Sequence, residues 1–175
     1  MSLSLLLAAA AASAGVKAIP STPDLGVAEG RCRPNESGPA FLINLEGLKD
    51  RQGRVKVELY PNNDEDFLQD DNKLVAAGKT FRRVEMDVPQ TGPVVLCIRA
   101  PAAGDYTLSL LHDRDSNRKF GLSVDGVGFP NDPKLGWSKP KAKVAAARVG
   151  NGPTRISVTM QYRRGLFSFG PLKDD

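Results

Sequence analysis

Val55-Lys56-Val57-Glu58-Leu59-Tyr60 alternates apolar and polar side chains, placing Val55, Val57 and Leu59 on one face. Thr154-Arg155-Ile156-Ser157-Val158-Thr159-Met160-Gln161-Tyr162 repeats the pattern with Ile156, Val158, Met160 and Tyr162. A period of two is the mark of a strand with one buried face. Working outward, Phe41 to Leu45, Thr80 to Val88, Val94 to Arg99, Tyr106 to His112 and Lys143 to Ala147 have strand length and turn residues at their ends. Phe41 to Leu45 and Val55 to Tyr60, flanking the turn-rich Leu48 to Gly53, predict a hairpin. About seven such segments predict an all-β protein, a single antiparallel β-sandwich of immunoglobulin-like kind.

Helix is predicted only over Asp64-Glu65-Asp66-Phe67-Leu68, where acidic residues in a first turn complement the positive end of a short helix. Gly121 to Pro140 holds four Gly, three Pro and Trp137, and predicts a long Gly/Pro-rich loop packed by its own aromatic residues, with Phe120 and Phe129 nearby.

The composition bounds the chemistry. The 175 residues are 41% hydrophobic and 25% charged, enough for one domain and too apolar for wholesale disorder. One His excludes a zinc site with two or more histidines and allows at most one His-dependent triad. The net charge of +4 hides a segregation: Glu58 to Asp71 carries six acids and no base, and Lys134 to Arg164 carries eight bases and no acid.

Leu3 to Ala12 is an apolar run followed by the small-x-small pattern Ala12-Ser13-Ala14. This reads as a cleaved signal peptide over residues 1–14, although no Lys or Arg precedes the run. It predicts a periplasmic or secreted protein with no transmembrane segment, the run being too short to span a bilayer. In an oxidising compartment Cys32 and Cys97 predict one disulfide closing a loop of about 65 residues. Residues 15–39, with four prolines and few large apolar side chains, predict an extended, flexible leader. The sandwich domain is expected over 40–162, with a basic and aromatic tail over 163–175.

Asp113-x-Asp115-x-Asn117 begins as a calcium loop begins, but Arg118 stands where the tight turn needs Gly and Val124 where a bidentate carboxylate is required. A standard EF-hand is excluded, and no cofactor is predicted. Calcium at a non-EF site built from Asp113, Asp115 and Asn117 is the one cofactor left open, against an Asx-rich turn whose side chains satisfy local backbone N–H groups. The Asx turn is the favoured reading. His112 is the only candidate general base, yet Asp113 beside it on a strand points to the opposite face, and no G-x-S-x-G elbow supplies a nucleophile. A structural His bonded to a backbone carbonyl is the favoured reading. The acids Asp64, Glu65, Asp66, Asp70 and Asp71 contain enough carboxyl groups for a glycosidase pair, but nothing in sequence fixes their separation. Tyr106, at a strand start, is expected to bond back to the preceding corner.

Leu45-Glu46-Gly47-Leu48-Lys49-Asp50 with Gly53, the strand Val55 to Tyr60 followed by Asp66-Phe67-Leu68, the strand from Gly104-Asp105-Tyr106 to His112-Asp113, and Gly126-Val127-Gly128-Phe129 occur together in this order. In these pieces, from about Phe41 to Tyr162, the chain resembles bacterial exported proteins grouped as domain of unknown function 2141. The resemblance implies a compact transthyretin-like or prealbumin-like β-sandwich with no established activity. Members commonly follow His-Asp with a Gly-containing, Asn-rich turn and a further acid. Arg118 and Gly121 stand at those places here.

The leading expectation is a non-enzymatic binding or accessory module of the bacterial cell envelope, with His112, Phe129 and Trp137 as candidate ligand surface. Its partner would be an envelope ligand or protein, such as an anionic glycan or lipid head group met by the basic segment, and not nucleic acid. The alternatives are a periplasmic hydrolase using His112 with Asp113 or Asp115, and a purely structural envelope domain.

Overall fold

The alternating segments form strands in the computed structural model, which describes residues 18–136, 138–166 and 168–172. Trp137 and the segment expected as a signal peptide lie outside the described residues. In chain order the elements are helix α1 (Val27–Gly30), strands β1 (Ala40–Glu46) and β2 (Arg54–Pro61), helix α2 (Asp71–Ala76), and strands β3 (Arg82–Asp87), β4 (Val94–Arg99), β5 (Gly104–Asp113) and β6 (Gly126–Gly128). A short 3-10 turn, Ala142–Val144, precedes β7 (Ala146–Val149), β8 (Pro153–Thr159), β9 (Tyr162–Arg163) and β10 (Phe169–Gly170). The protein is all-β, with two short α-helices among the described residues.

The strands form two main sheets. One has the order β4-β1-β8 and the other β3-β2-β5-β6, with β7 pairing the first half of β5 and β6 its second half; β9 and β10 form a small hairpin. One pair departs from the antiparallel expectation, because β8 runs parallel to β1 from Ala40↔Pro153 to Glu46↔Thr159.

The hairpin expected between β1 and β2 does not form. β1 pairs with β4 and β8, whereas β2 pairs with β3 and β5, so the chain crosses from one sheet to the other between them. The two apolar faces meet across the core instead of lying side by side: Phe41, Ile43 and Leu45 of β1 share one buried cluster with Val55, Val57 and Leu59 of β2. Gly53, at φ 70°, makes the crossing possible; a Cβ there would collide with the carbonyl oxygen of Asp113.

β4 (Leu96, Ile98), β5 (Leu108, Leu110) and β8 (Val158) complete that cluster, each at 1% exposure or less. Fully burying an aliphatic side chain of this size stabilises by about 1.5–3 kcal/mol, so this shared face is the main source of cohesion between the sheets. A second cluster lies on the other face of the β2–β5 sheet, where Tyr60, Phe67, Phe81 and Phe129 pack edge to face with centroids 5.5–5.9 Å apart.

The helix expected over Asp64 to Leu68 is a turn, and α2 begins three residues later at Asp71. The Asn63 side chain accepts from the Asp66 N–H (2.9 Å) and donates to its carboxylate, and Leu68 takes φ 60°, so the chain turns in place of propagating a helix. Tyr106 behaves as expected, its hydroxyl donating to the Ala102 carbonyl at 3.2 Å.

Cys32 and Cys97 are disulfide-bonded across a separation of 65 residues. In the stretch expected as an extended leader, the described residues 18–39 carry α1 and lie against β3. The Gly26 carbonyl accepts from the Arg83 N–H (3.1 Å), the Thr22 carbonyl accepts from the Arg83 guanidinium (3.0 Å), and the Ile19 carbonyl accepts from the Asn72 amide (3.0 Å). Among the described residues no helix is long and apolar enough to cross a membrane.

Candidate functional site

His112 sits near the end of β5 with its side chain on the inner face, in step with Leu108 and Leu110, and is fully buried. Its Nε2 lies 2.9 Å from the Gln52 carbonyl oxygen, which only accepts, so Nε2 carries the proton. Its Nδ1 is then an acceptor and lies 2.6 Å from the Tyr162 hydroxyl. Burial pushes the Tyr162 hydroxyl up to about 12, which keeps it a donor, and the same oxygen accepts from the Lys49 N–H at 2.9 Å. Burial also holds His112 below its ordinary value, so the ring is neutral at pH 7.

The acid nearest this ring is not one of those expected. Asp50 Oδ1 lies 3.9 Å from Nε2, and Asp50 is itself held by the Arg114 guanidinium, whose Nε donates at 2.9 Å and whose hydrogen bonds keep the carboxyl below its usual range. Asp113 follows on the opposite face of β5. Its Oδ1 and Oδ2 accept from the N–H groups of Asn117 (3.2 Å) and Arg118 (2.8 Å). Asp115 accepts from the Asn117 N–H, and Asn117 from the Lys119 N–H at 2.7 Å. These are Asx-type bonds, and they let Ser116 and Arg118 take left-handed backbone angles.

Asp125, which the sequence did not single out, joins Asp113 and Asp115, the three carboxylates each placing one oxygen within 4.8 Å of the others. Asn117 lies beside them, its side-chain amide donating to Asp115 at 2.8 Å. The donor set is poor for calcium, which wants six to eight oxygens. Both oxygens of Asp113 already serve backbone N–H groups, as do both of Asp125, which accept from Arg114 (2.9 Å) and Gly121 (2.6 Å). Asp113 is raised above its usual value, chiefly by burial.

The acidic segment is neutralised pair by pair. Asp64 meets Lys141 at 3.3 Å, Asp70 meets Lys73 at 2.6 Å, Asp66 meets Lys79 at 2.5 Å and Asp71 meets Arg83 at 3.0 Å. Asp64, Asp66 and Asp71 are all held below their usual values, the reverse of what a carboxylic general acid needs. Within this segment Glu58, Asp66 and Asp71 are buried, and Lys56, Arg83 and the Tyr60 hydroxyl surround Glu58.

A concavity with an apolar floor lies elsewhere. A cleft of about 360 Å³ lies over the outer face of the β2–β5–β6 sheet, beneath residues 120–136 and 138–140. Leu111, Val127, Phe129 and Leu135 line it, and three of its apolar residues are markedly exposed: Leu68, Leu122 at 46% and Phe120 at 49%. Phe120 is paired obliquely with Phe169 of β10, centroids 6.1 Å apart. Of the three residues expected as ligand surface, Phe129 lines this cleft and His112 faces the opposite side of the sheet.

Lys49, His112 and Gly126, from three of the pieces of sequence quoted earlier, meet around Tyr162. Gly126 lies opposite His112 in the β5–β6 register, and a Cβ on it would strike the Tyr162 ring. Gly128 is also tightly placed, its Cβ position 2.8 Å from Val158 and 2.9 Å from the Met160 sulfur. The Gly-Val-Gly run thus lets β6 close on the strand that carries the hydroxyl partner of His112.

These features define a two-sheet all-β domain whose only His is a core residue and whose apolar cleft lies on the outside of one sheet. The model of a bacterial family described as an uncharacterised conserved protein, DUF2141, matches residues 43–157, more than half of the chain, and the chain belongs to that family. No curated protein and no solved structure matches it.

Proposed function

We propose that this chain is a non-enzymatic binding module of the bacterial cell envelope, exported by a signal peptide over residues 1–14, and that the cleft beneath residues 120–136 and 138–140 is its binding site. The observation that carries the reading is the cleft itself: an apolar floor buried in the fold, flanked by large apolar side chains left in water. Exposed apolar residues are unremarkable singly, but a cluster around a concavity is the signature of a ligand site. Export is supported by the Cys32–Cys97 disulfide, which suits an oxidising compartment. The binding role is favoured over hydrolysis because both ring nitrogens of His112 are engaged by Tyr162 and Gln52.

Fluorescence titration with N-phenylnaphthylamine, a small neutral apolar probe, tests this. Saturable binding at one site per chain, lost in a folded Leu122→Asp variant, is the expected result. An unsaturable signal, or one indifferent to Leu122→Asp, would contradict it.

A further inference from the structure

We infer that the cleft takes a free single-chain amphiphile with an anionic head group, its head at Lys139 and its apolar chain over Leu111 and Phe129. The inference rests on the binding reading above and adds the ligand's chemistry. Three charged residues line the cleft: Lys56, Glu58 and Lys139. Glu58 is spoken for, since Lys56 lies 3.0 Å from it, Arg83 2.8 Å, and the Tyr60 hydroxyl donates to it at 2.7 Å.

Lys139 is placed differently. Its Nζ donates to the backbone carbonyls of Phe67 (2.6 Å) and Asp64 (3.1 Å), and among the described residues no carboxylate lies within 4.0 Å of it. The Asp64 carboxylate is held instead by the Lys141 ammonium and the Ala142 N–H. The two carbonyls, with the Phe67 ring centroid 6.0 Å from Nζ, fix the ammonium at the cleft wall without cancelling its charge, and one of its three N–H donors makes no hydrogen bond among the described residues. A neutral apolar ligand would leave that charge beside a newly dried surface. An anion would satisfy it, with the stronger hydrogen bond that two charges make.

Size selects among anions. About 360 Å³ is near the bottom of the range of roughly 300–1,000 Å³ for small-molecule sites, which suits one chain and not a multi-chain lipid. A glycan is disfavoured because the floor offers apolar side chains where hydroxyl groups would need partners.

Calorimetric titration of the full chain with decanoate and decanol tests the inference, using wild type, Leu122→Asp, Lys139→Gln and Lys139→Arg. Decanoate is expected to bind wild type about two- to fivefold more tightly than decanol, the worth of one ion pair at an exposed lysine. That ratio should fall towards one in Lys139→Gln and be restored in Lys139→Arg, while Leu122→Asp weakens both ligands. Equal affinities in wild type, or a ratio that persists in Lys139→Gln, would overturn the anionic head site and leave the binding reading standing. Failure of both ligands to bind wild type would overturn both.

Discussion

The Tyr162 hydroxyl donates to His112 Nδ1 at 2.6 Å while it accepts from the Lys49 N–H at 2.9 Å. With Nε2 donating to the Gln52 carbonyl, every polar atom of the pair is satisfied inside the fold. The relay joins the crossing between β1 and β2 to β5 and β9, and fixes the only His as a neutral structural group.

Tyr162→Phe removes the hydroxyl and leaves the buried His112 Nδ1 and the Lys49 N–H without this partner. The expected loss is about 1–3 kcal/mol, read from the denaturant midpoint at constant m-value. A variant as stable as wild type would show that the relay carries no net stability.

His112 also sets a pH dependence. Burial holds it below 6.5, so the unfolded chain takes up a proton at higher pH than the folded one. Stability is therefore complete above about pH 6.5 and falls as the pH drops from there towards the folded-state value, by at most about 1.4 kcal/mol per pH unit. Asp50, Asp64 and Asp66, all lowered, add their losses only below about pH 4, and Asp113, raised, contributes the opposite slope upward from 3.8. The clean reading is the difference between wild type and His112→Gln in equilibrium unfolding between pH 5 and 7, where the variant's curve should be the flatter. Parallel curves would contradict the buried neutral ring.

Gly126→Ala should be far more damaging than an alanine usually is, because its methyl group meets the Tyr162 ring. A loss of about 1–3 kcal/mol is expected from overpacking. Gly150→Ala, with nothing within 4 Å, serves as the control. Similar midpoints for the two variants would count against the close approach of β6 to β9.

Asp125 is buried and accepts from two backbone N–H groups, so Asp125→Ala should lose about 2 kcal/mol or more through orphaned donors. If turn-capping is the whole role of these acids, millimolar calcium or a chelator leaves the melting temperature of wild type and variant equally unmoved. A calcium-dependent rise in wild type alone would reassign Asp113, Asp115 and Asp125 to a cation.

Reduction of Cys32–Cys97, or the double Cys→Ala variant, should destabilise by up to about 4 kcal/mol, the loop-closure entropy for a 65-residue separation. Hydrogen exchange should quicken first at the Gly26 to Arg31 backbone, which the bond ties beside β4. Unchanged protection there would mean that packing of α1 against β3 suffices.

The strands were legible because alternation is local: Val55 to Tyr60 declares its buried face whatever it pairs with. Pairing is not local, which is why β1 and β2 could be expected as a hairpin and yet face each other across the core. β6 was hidden because Gly126 and Gly128 have no side chains to carry a pattern, although their spacing beside an apolar Val127 was the one available signal. The turn chemistry of Asp113 to Asn117 was readable from residue types, whereas Asp125 enters that turn only through bonds to Arg114 and Gly121. Tyr162 was seen as a core position but not as the partner of His112, fifty residues away in sequence. The cleft was least legible, since its wall combines β2, β5, residues from 120–136 and 138–140, and Phe169.

The binding reading is tested most directly by amide chemical shifts of the labelled full chain under titration with N-phenylnaphthylamine. Shifts that saturate together at Leu111, Val127, Phe129 and Leu135, with Val95 on the opposite sheet unmoved, are the predicted result. No saturable shifts, or shifts centred on β4 and β8, would contradict the placement of the binding site in this cleft.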